Sequence, residues 1–300
     1  MYDIIIAGGG PAGLTAAIYA VRSGHTAAVI ERLGSGGQAA TAAQIENYPG
    51  FKKIAGYELA TAFEEHARAL GAQVIFEEIT GFELDGGVKR TITKKGAYDS
   101  SAVILALGAQ RRHLGVLGEA DFAGRGISYC ATCDGAFFRK KVVAVVGGGN
   151  AAVGDAIYLS NLCEKVYLIH RRDELRAEKY LQQQLLGVKN IQIIFDTVIE
   201  SVTGEKSVEN INITDVKTRE TSTIAVGGIF VAVGTVPQTG LLRGKLPLDE
   251  RGYIIAPESC KTPLRGVYSA GDIRAKPLRQ IITAAADGAN AVHSAMEIFG

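Results

Sequence analysis

Ile4-Ile5-Ile6-Ala7-Gly8-Gly9-Gly10-Pro11-Ala12-Gly13 returns 139 residues later as Val143-Ala144-Val145-Val146-Gly147-Gly148-Gly149-Asn150-Ala151-Ala152. In each copy an unbroken apolar run, the pattern of a strand covered on both faces, turns through glycines into an alanine-rich amphipathic helix. Ala17-Ile18-Tyr19 repeats inside that helix as Ala156-Ile157-Tyr158, and a second apolar strand follows at 26–30 and at 165–169. Each copy is a βαβ unit. Two of them predict an α/β chain with two Rossmann-like, three-layer nucleotide-binding domains. A further echo links 103–109 to 229–235, each read as a later core strand ending in a glycine turn.

Between these landmarks, residues 73–99 and 192–223 alternate polar and apolar and read as β-meanders, and 287–299 reads as a closing amphipathic helix. A chain of 300 residues, 47% hydrophobic and 21% charged, is the size and composition of about two soluble domains. A net charge of +1 carries no footprint for nucleic acid or an anionic membrane. Residues 4–21 and 225–242 are uncharged and nearly long enough to cross a bilayer, but glycines and prolines interrupt both. Asp3 stands where an export signal has its basic region, so a cytoplasmic location is expected. Thiols stay reduced there, and the four cysteines are not read as a structural framework.

Gly8-x-Gly10-x-x-Gly13 opens a helix directly after a strand, the context in which this pattern binds a dinucleotide. The glycines allow a tight turn, and the helix N-terminus offers free N–H groups to a pyrophosphate. Glu31 closes the next strand, placed to accept from a ribose 2′-hydroxyl. The second copy, Gly147-x-Gly149-x-x-Ala152, has His170 at the position of Glu31, followed by Arg171, Arg172 and Arg176. A carboxylate repels a 2′-phosphate, whereas guanidinium groups bind one, so the first unit suits a free ribose and the second suits NADP. The competing reading of 171–174, a solvated charge run, loses weight because of its register against Glu31.

Cys130-Ala131-Thr132-Cys133 precedes the second unit's first strand. Two intervening residues let a disulfide open and close with little backbone movement, and Asp134 adjoins the pair as a candidate proton donor or acceptor. Half of a zinc site and a buried inert pair are the alternatives; no second Cys-x-x-Cys exists to complete a metal site, and no metal is expected. Cys163 and Cys260 read as packed small hydrophobes. Gly271-Asp272 ends a strand near the C-terminus, and Arg279-Gln280 opens another alanine-rich helix. On physical grounds this turn is equally a ligand-facing or a structural one.

Taken together, Gly-x-Gly-Pro-Ala-Gly, Gly36-Gly37-Gln38, Glu46-Asn47-Tyr48-Pro49-Gly50, Cys-Ala-Thr-Cys-Asp-Gly, Gly-Gly-Gly-Asn, His-Arg-Arg-Asp and Gly-Asp with Arg279-Gln280 resemble the low-molecular-weight, bacterial-type thioredoxin reductases over nearly the whole chain. The resemblance implies FAD in a discontinuous domain of residues 1–112 and 242–300, an inserted NADPH domain of residues 113–241 carrying the redox disulfide, and a homodimer. It also implies that the inserted domain swivels on its two crossings. By the same likeness Gly8, Gly10, Pro11, Ala12, Gly13, Glu31, Gly37, Gln38, Asn47, Asp272, Arg279 and Gln280 line the flavin site. Gly147, Gly149, Asn150, Ala151, His170, Arg171, Arg172 and Arg176 would hold NADPH; Cys130, Cys133 and Asp134 would be catalytic, with Cys133 nearer the flavin. The implied activity is NADPH-dependent reduction of oxidised thioredoxin, or a thioredoxin-like protein, through FAD and the Cys-x-x-Cys disulfide. The alternatives are a ferredoxin-driven relative or another thioredoxin reductase-like disulfide oxidoreductase and, from a different class, a non-catalytic FAD/NADP-binding sensor. One departure stands out: Gly154-Asp155 replaces the paired glutamates the family often carries.

Overall fold

A computed structural model describes residues 1–42, 45 and 47–300, with only the backbone of Cys133. Glu46 and the Cys133 side chain, both named above, lie outside the described residues. The chain divides into two compact units, Met1–Gln110 with Val236–Gly300, and Arg111–Thr235. Arg112 N donates to Gly234 O and Gln238 N to Gly108 O, both at 3.0 Å. These bonds place the division ahead of the expected 112/113 and 241/242, because Arg112 and Gln238 are each tied into their own unit.

The first unit begins with β1 (Tyr2–Ala7), α1 (Pro11–Arg22), β2 (Ala27–Glu31), α2 (Gly56–Ala69) and β3 (Gln73–Phe76). It continues through β4 (Ile79–Glu83), β5 (Lys89–Thr93) and β6 (Ala97–Leu105), and β7 (Ala109–Arg111) runs across its end. Ile4, Ile5 and Ile6 are fully buried, which explains an apolar run without alternation: helices cover one face of the sheet and the meander the other. The sheet order is β3-β2-β1-β6-β5-β4. β6 is shared: its first half pairs antiparallel with β5, and Val103–Leu105 pair parallel with the returning strand Val267–Ser269. β3 pairs parallel with β2, so the meander expected over 73–99 loses its first strand to the main sheet.

The second unit contains β8 (Ile127–Ser128), α3 (Ala131–Asp134), β9 (Val142–Val146), α4 (Asn150–Ser160), β10 (Lys165–Ile169), α5 (Lys179–Leu186) and β11 (Ile191–Ile194). Then come β12 (Thr197–Thr203), β13 (Asn210–Asp215), β14 (Thr221–Ala225) and β15 (Gly228–Val231). β11-β10-β9-β15-β8 is an all-parallel sheet, and β12-β13-β14 a separate antiparallel one. Ile211 and Ile213 of β13 are buried against Ile169 and Ile229 of the parallel sheet, while α4 covers the opposite face through Val153, Ala156 and Leu159. Each such fully buried aliphatic side chain contributes roughly 1.5–3 kcal/mol, so the three layers supply each other's stability.

The chain returns to the first unit through β16 (Thr235–Pro237), β17 (Val267–Ser269) and α6 (Ile281–Ala295). The helix expected to open at Arg279-Gln280 and the closing one expected from residue 287 are a single element: Gln280 is its N-cap, and Thr283 and Gln280 cap each other's backbone. α6 lies against α1 closely enough that a Cβ on Gly288 would come within 2.2 Å of Ala12 O. In the mixed sheet of the first unit and the parallel sheet of the second, the strand order reverses beside the first strand, at β1/β6 and at β9/β15, which is where open α/β sheets form ligand crevices. Among the described residues no helix is long and apolar enough to cross a membrane.

Candidate active site

In the first unit the crevice is built by the turn 8–13. Gly8 has φ +109 and Gly13 sits on Gly8 O, where a Cβ would come to 1.9 Å, so neither admits a side chain. Gly10, the N-cap of α1, has nothing within 4 Å of a Cβ position, and Pro11 supplies the first helical residue without an N–H to satisfy. Ala12 is buried behind it. Gly36 N donates to Gly9 O at 2.7 Å, drawing the segment that carries Gly37 and Gln38 beside this turn, and Gln38 Nε2 donates to Ala109 O. Glu31 is more committed than its expected role suggests: Oε2 accepts from Gly9 N at 2.8 Å, and Oε1 from Arg32 N and Leu33 N. It fixes the glycine turn.

The Gly-Asp turn stands on the same unit. Asp272 Oδ1 is shielded from solvent without a hydrogen-bond partner, and Lys276 Nζ is 3.8 Å from it. Burial raises the carboxyl's pKa, against the opposing pull of Lys276 and Arg279. An orphaned acceptor beside an open glycine cradle fits a ligand that brings hydroxyl donors, as FAD does. Asn47 Nδ2 donates to Gln280 Oε1 at 3.0 Å, and the Arg279 guanidinium stacks 3.9 Å from the Tyr253 ring centroid. Sequence reasoning missed Asp287 here, which it read only as a helix start. Its carboxylate takes Gly271 N at 3.0 Å, Arg274 Nη2 at 2.7 Å and Lys276 Nζ at 3.0 Å, locking the turn. A carboxylate inside an alanine-rich buried helix face was the available signal.

In the second unit, Gly147 (φ +149) lies against the Ala232 carbonyl and Gly148 against His170; a Cβ on Gly148 would meet the His170 ring at 2.4 Å. Gly149 is open, as Gly10 is. The Asn150 amide bonds Glu178 in both directions, N–H to Oε1 at 2.9 Å and Oδ1 from Glu178 N at 2.8 Å, holding the 176–178 segment over the turn. Ala151 is exposed on the first turn of α4. A cavity of about 250 Å³ opens here, with Gly147, Gly148, His170, Arg171 and Arg176 on its wall and no carboxylate among its described lining residues. Arg172 is not on that wall; its carbonyl accepts from Asp196 N. His170 is buried with Nε2 unpartnered. Burial first, then Arg176, Arg172 and Arg171, lower its pKa, so a neutral ring awaits a partner in a cationic cavity. These features fit a phosphorylated adenosine.

Cys130 is disulfide-bonded, while Cys163 and Cys260 are free and buried, their thiols pushed up to about 11 and about 12 by burial. Cys130 ends the segment after β8, and α3 spans Ala131–Asp134. Asp134 Oδ2 accepts from Ser128 Oγ at 2.6 Å, and Ser128 Oγ also takes Cys130 N at 3.0 Å. Ser128, buried in an apolar strand and absent from the sequence reading, thereby ties the carboxylate to the cysteine backbone. Asp155 occupies the departure at 154–155: burial, opposed by Arg111, raises it to about 6. A carboxyl whose native pKa lies above its ordinary 3.8 binds more protons folded than unfolded, so stability falls as pH rises from about 4 to 6. Asp155 keeps part of its surface exposed, which makes about 1.4 kcal/mol per pH unit an upper bound. Asp155→Asn should flatten that part of the profile in denaturant titrations at pH 4, 5, 6 and 7; an unchanged slope would contradict the burial.

Two nucleotide crevices, one sharing its unit with a disulfide-bonded Cys-x-x-Cys cysteine, define a pyridine-nucleotide-linked disulfide oxidoreductase. The sequence profile described as pyridine nucleotide-disulphide oxidoreductase matches residues 2–288. The chain is 46% identical over 295 residues to a thioredoxin reductase of Treponema pallidum (strain Nichols), spanning 98% of this chain and 96% of that one. The crystal structure of Lactococcus lactis thioredoxin reductase is similar at a TM-score of 0.83 and 40% identity, covering 99% of each chain. A ferredoxin-flavin thioredoxin reductase from Clostridium acetobutylicum is similar at 0.54 and 32%, covering 99% and 98%. The chain belongs to the pyridine nucleotide-disulphide oxidoreductase family, in its bacterial-type thioredoxin reductase branch.

Proposed function

We propose that the protein reduces oxidised thioredoxin with NADPH, using FAD in the unit of residues 1–110 and 236–300 and the Cys130/Cys133 pair in the unit of residues 111–235. The observation that carries this reading is the pairing, within one unit, of an arginine cavity with no carboxylate among its described lining residues and a disulfide-bonded Cys130. FAD, when bound, supplies the two-electron chemistry that links a nicotinamide to a disulfide. The chain's own residues do the rest. Gly10 and Asp272 receive the flavin nucleotide, and Arg171 and Arg176 select the 2′-phosphate. Asp134, held by Ser128, exchanges a proton with the thiol of the opened pair, and the dithiol reduces thioredoxin by exchange. A cytoplasmic homodimer is part of the same proposal.

The test is cofactor discrimination. Charge-assisted bonds contribute roughly 1.5–3 kcal/mol each, so Arg171→Ala should weaken NADPH binding by roughly ten- to a hundredfold and leave NADH nearly unchanged. Equal losses for both nucleotides would refute phosphate recognition. The second reading, a ferredoxin-driven reductase, draws on Gly154-Asp155 and on the similarity to the Clostridium acetobutylicum protein. Under it neither nucleotide reduces the flavin and the arginine substitution changes nothing.

A further inference from the structure

Arg112 and His113 also stand on the wall of the nucleotide cavity, with Leu114 and Val116 beyond them. His113 is 70% exposed and caps a buried polar cluster. Glu119, 6% exposed, accepts from Leu114 N at 2.8 Å, Gly115 N at 2.6 Å and Tyr129 Oη at 2.7 Å. Burial pushes the Glu119 carboxyl up, but these donors outweigh it and hold it below its usual range, so it is an ionised acceptor without a proton to give. The single Tyr129 proton is therefore committed to Glu119. Tyr129 Oη lies 2.7 Å from His113 Nδ1, and with its proton spent it can only accept. His113 must carry its proton on Nδ1. In the neutral ring Nε2 is then a bare lone pair, which a phosphate oxygen repels; only the imidazolium offers a second N–H.

We infer that His113 is a further nucleotide-binding residue, which donates from Nε2 to a phosphate oxygen of the bound dinucleotide and takes up a proton as it does so. The groups facing it account for the coupling. Glu119 Oε1 lies 3.6 Å from Nδ1. Arg112, Arg171 and Arg176 share the cavity that the phosphate would enter, and Tyr129 fixes which nitrogen is free. The inference rests on the proposed binding of NADPH by this unit and adds to it a proton-linked contact that the arginines cannot supply, since guanidinium does not titrate in the accessible range.

The experiment is calorimetric titration of NADPH and NADH into the FAD-loaded protein under anaerobic conditions at pH 7.5, in buffers of differing ionisation enthalpy, to count protons taken up. His113→Asn retains an amide donor for Tyr129 and lacks Nε2. It should bind NADPH about tenfold more weakly and lose a fraction of a proton of uptake relative to wild type. Loss with NADPH alone assigns the 2′-phosphate; loss with both nucleotides assigns the pyrophosphate. Tyr129→Phe combined with Glu119→Gln removes the hydroxyl and the carboxylate that hold the proton on Nδ1 and frees that nitrogen to be the lone-pair one, so this variant should lose the proton uptake while keeping affinity within about threefold, a split that a merely structural role would not produce. Unchanged uptake in His113→Asn, with wild type preferring NADPH, would overturn the inference and leave the proposed function standing. A wild type that binds neither nucleotide would remove both.

Discussion

Cys133→Ser should yield a protein whose flavin is still reduced by NADPH but which turns over thioredoxin slower by about 10³-fold or more, the scale on which removal of a covalent participant lowers rates. The separation follows from the division of labour: the cavity of Arg171 and Arg176 and the site of Asp272 need no thiol, whereas exchange with a protein disulfide needs two. Stopped-flow absorbance reads the first half-reaction and a coupled thioredoxin assay the second. Turnover with thioredoxin near the wild-type rate would remove the cysteine pair from the reaction. Loss of both half-reactions, with FAD content and thermal stability intact, would mean that the two are not separable.

Asp134→Asn should act on proton transfer alone. The amide is isosteric and can still meet Ser128 Oγ, which lies 2.6 Å from Oδ2, so the local backbone around Cys130 N is retained. General acid–base catalysis by a placed side chain is typically worth about 10²–10⁴ in rate, and transfer from the dithiol to thioredoxin should slow by that factor while flavin reduction does not. An unchanged transfer rate would make Asp134 a purely structural partner of Ser128.

The fold was legible where burial on both faces forces a continuous apolar strand. Ile4–Ile6 and Val143–Val145 could be read because nothing polar survives between two covered faces. β3 and β11 were absorbed into the meanders that follow them, since an edge strand of a parallel sheet alternates burial as an antiparallel strand does; Gln73 and Phe76 of β3 are exposed while Val74 is buried. The opening of α6 was legible at Arg279-Gln280, where Gln280 and Thr283 cap it reciprocally; what the pattern did not show is that this helix runs on into the stretch read separately from residue 287.

The site was legible as motifs and opaque as a network. Glycine turns, Glu31 and the arginines announce themselves by spacing along one segment. Ser128 on Asp134, Glu119 on Tyr129 and Asp287 on Gly271 each join residues distant in sequence or hidden in apolar surroundings, where a single polar residue looks like a packing exception. Glu31 spends both oxygens on backbone amides, a use that no one-dimensional pattern encodes.

The central claim, a flavoprotein that carries electrons from NADPH to a thioredoxin disulfide, is tested most directly by one anaerobic experiment. The FAD-loaded protein is mixed with NADPH or with NADH, the flavin absorbance is followed, and oxidised thioredoxin is then added. The predicted result is rapid bleaching with NADPH, slow bleaching with NADH at the same concentration, and recovery of the oxidised flavin spectrum on addition of thioredoxin. A flavin that neither nucleotide bleaches, or one that NADPH reduces but thioredoxin does not reoxidise, would contradict it.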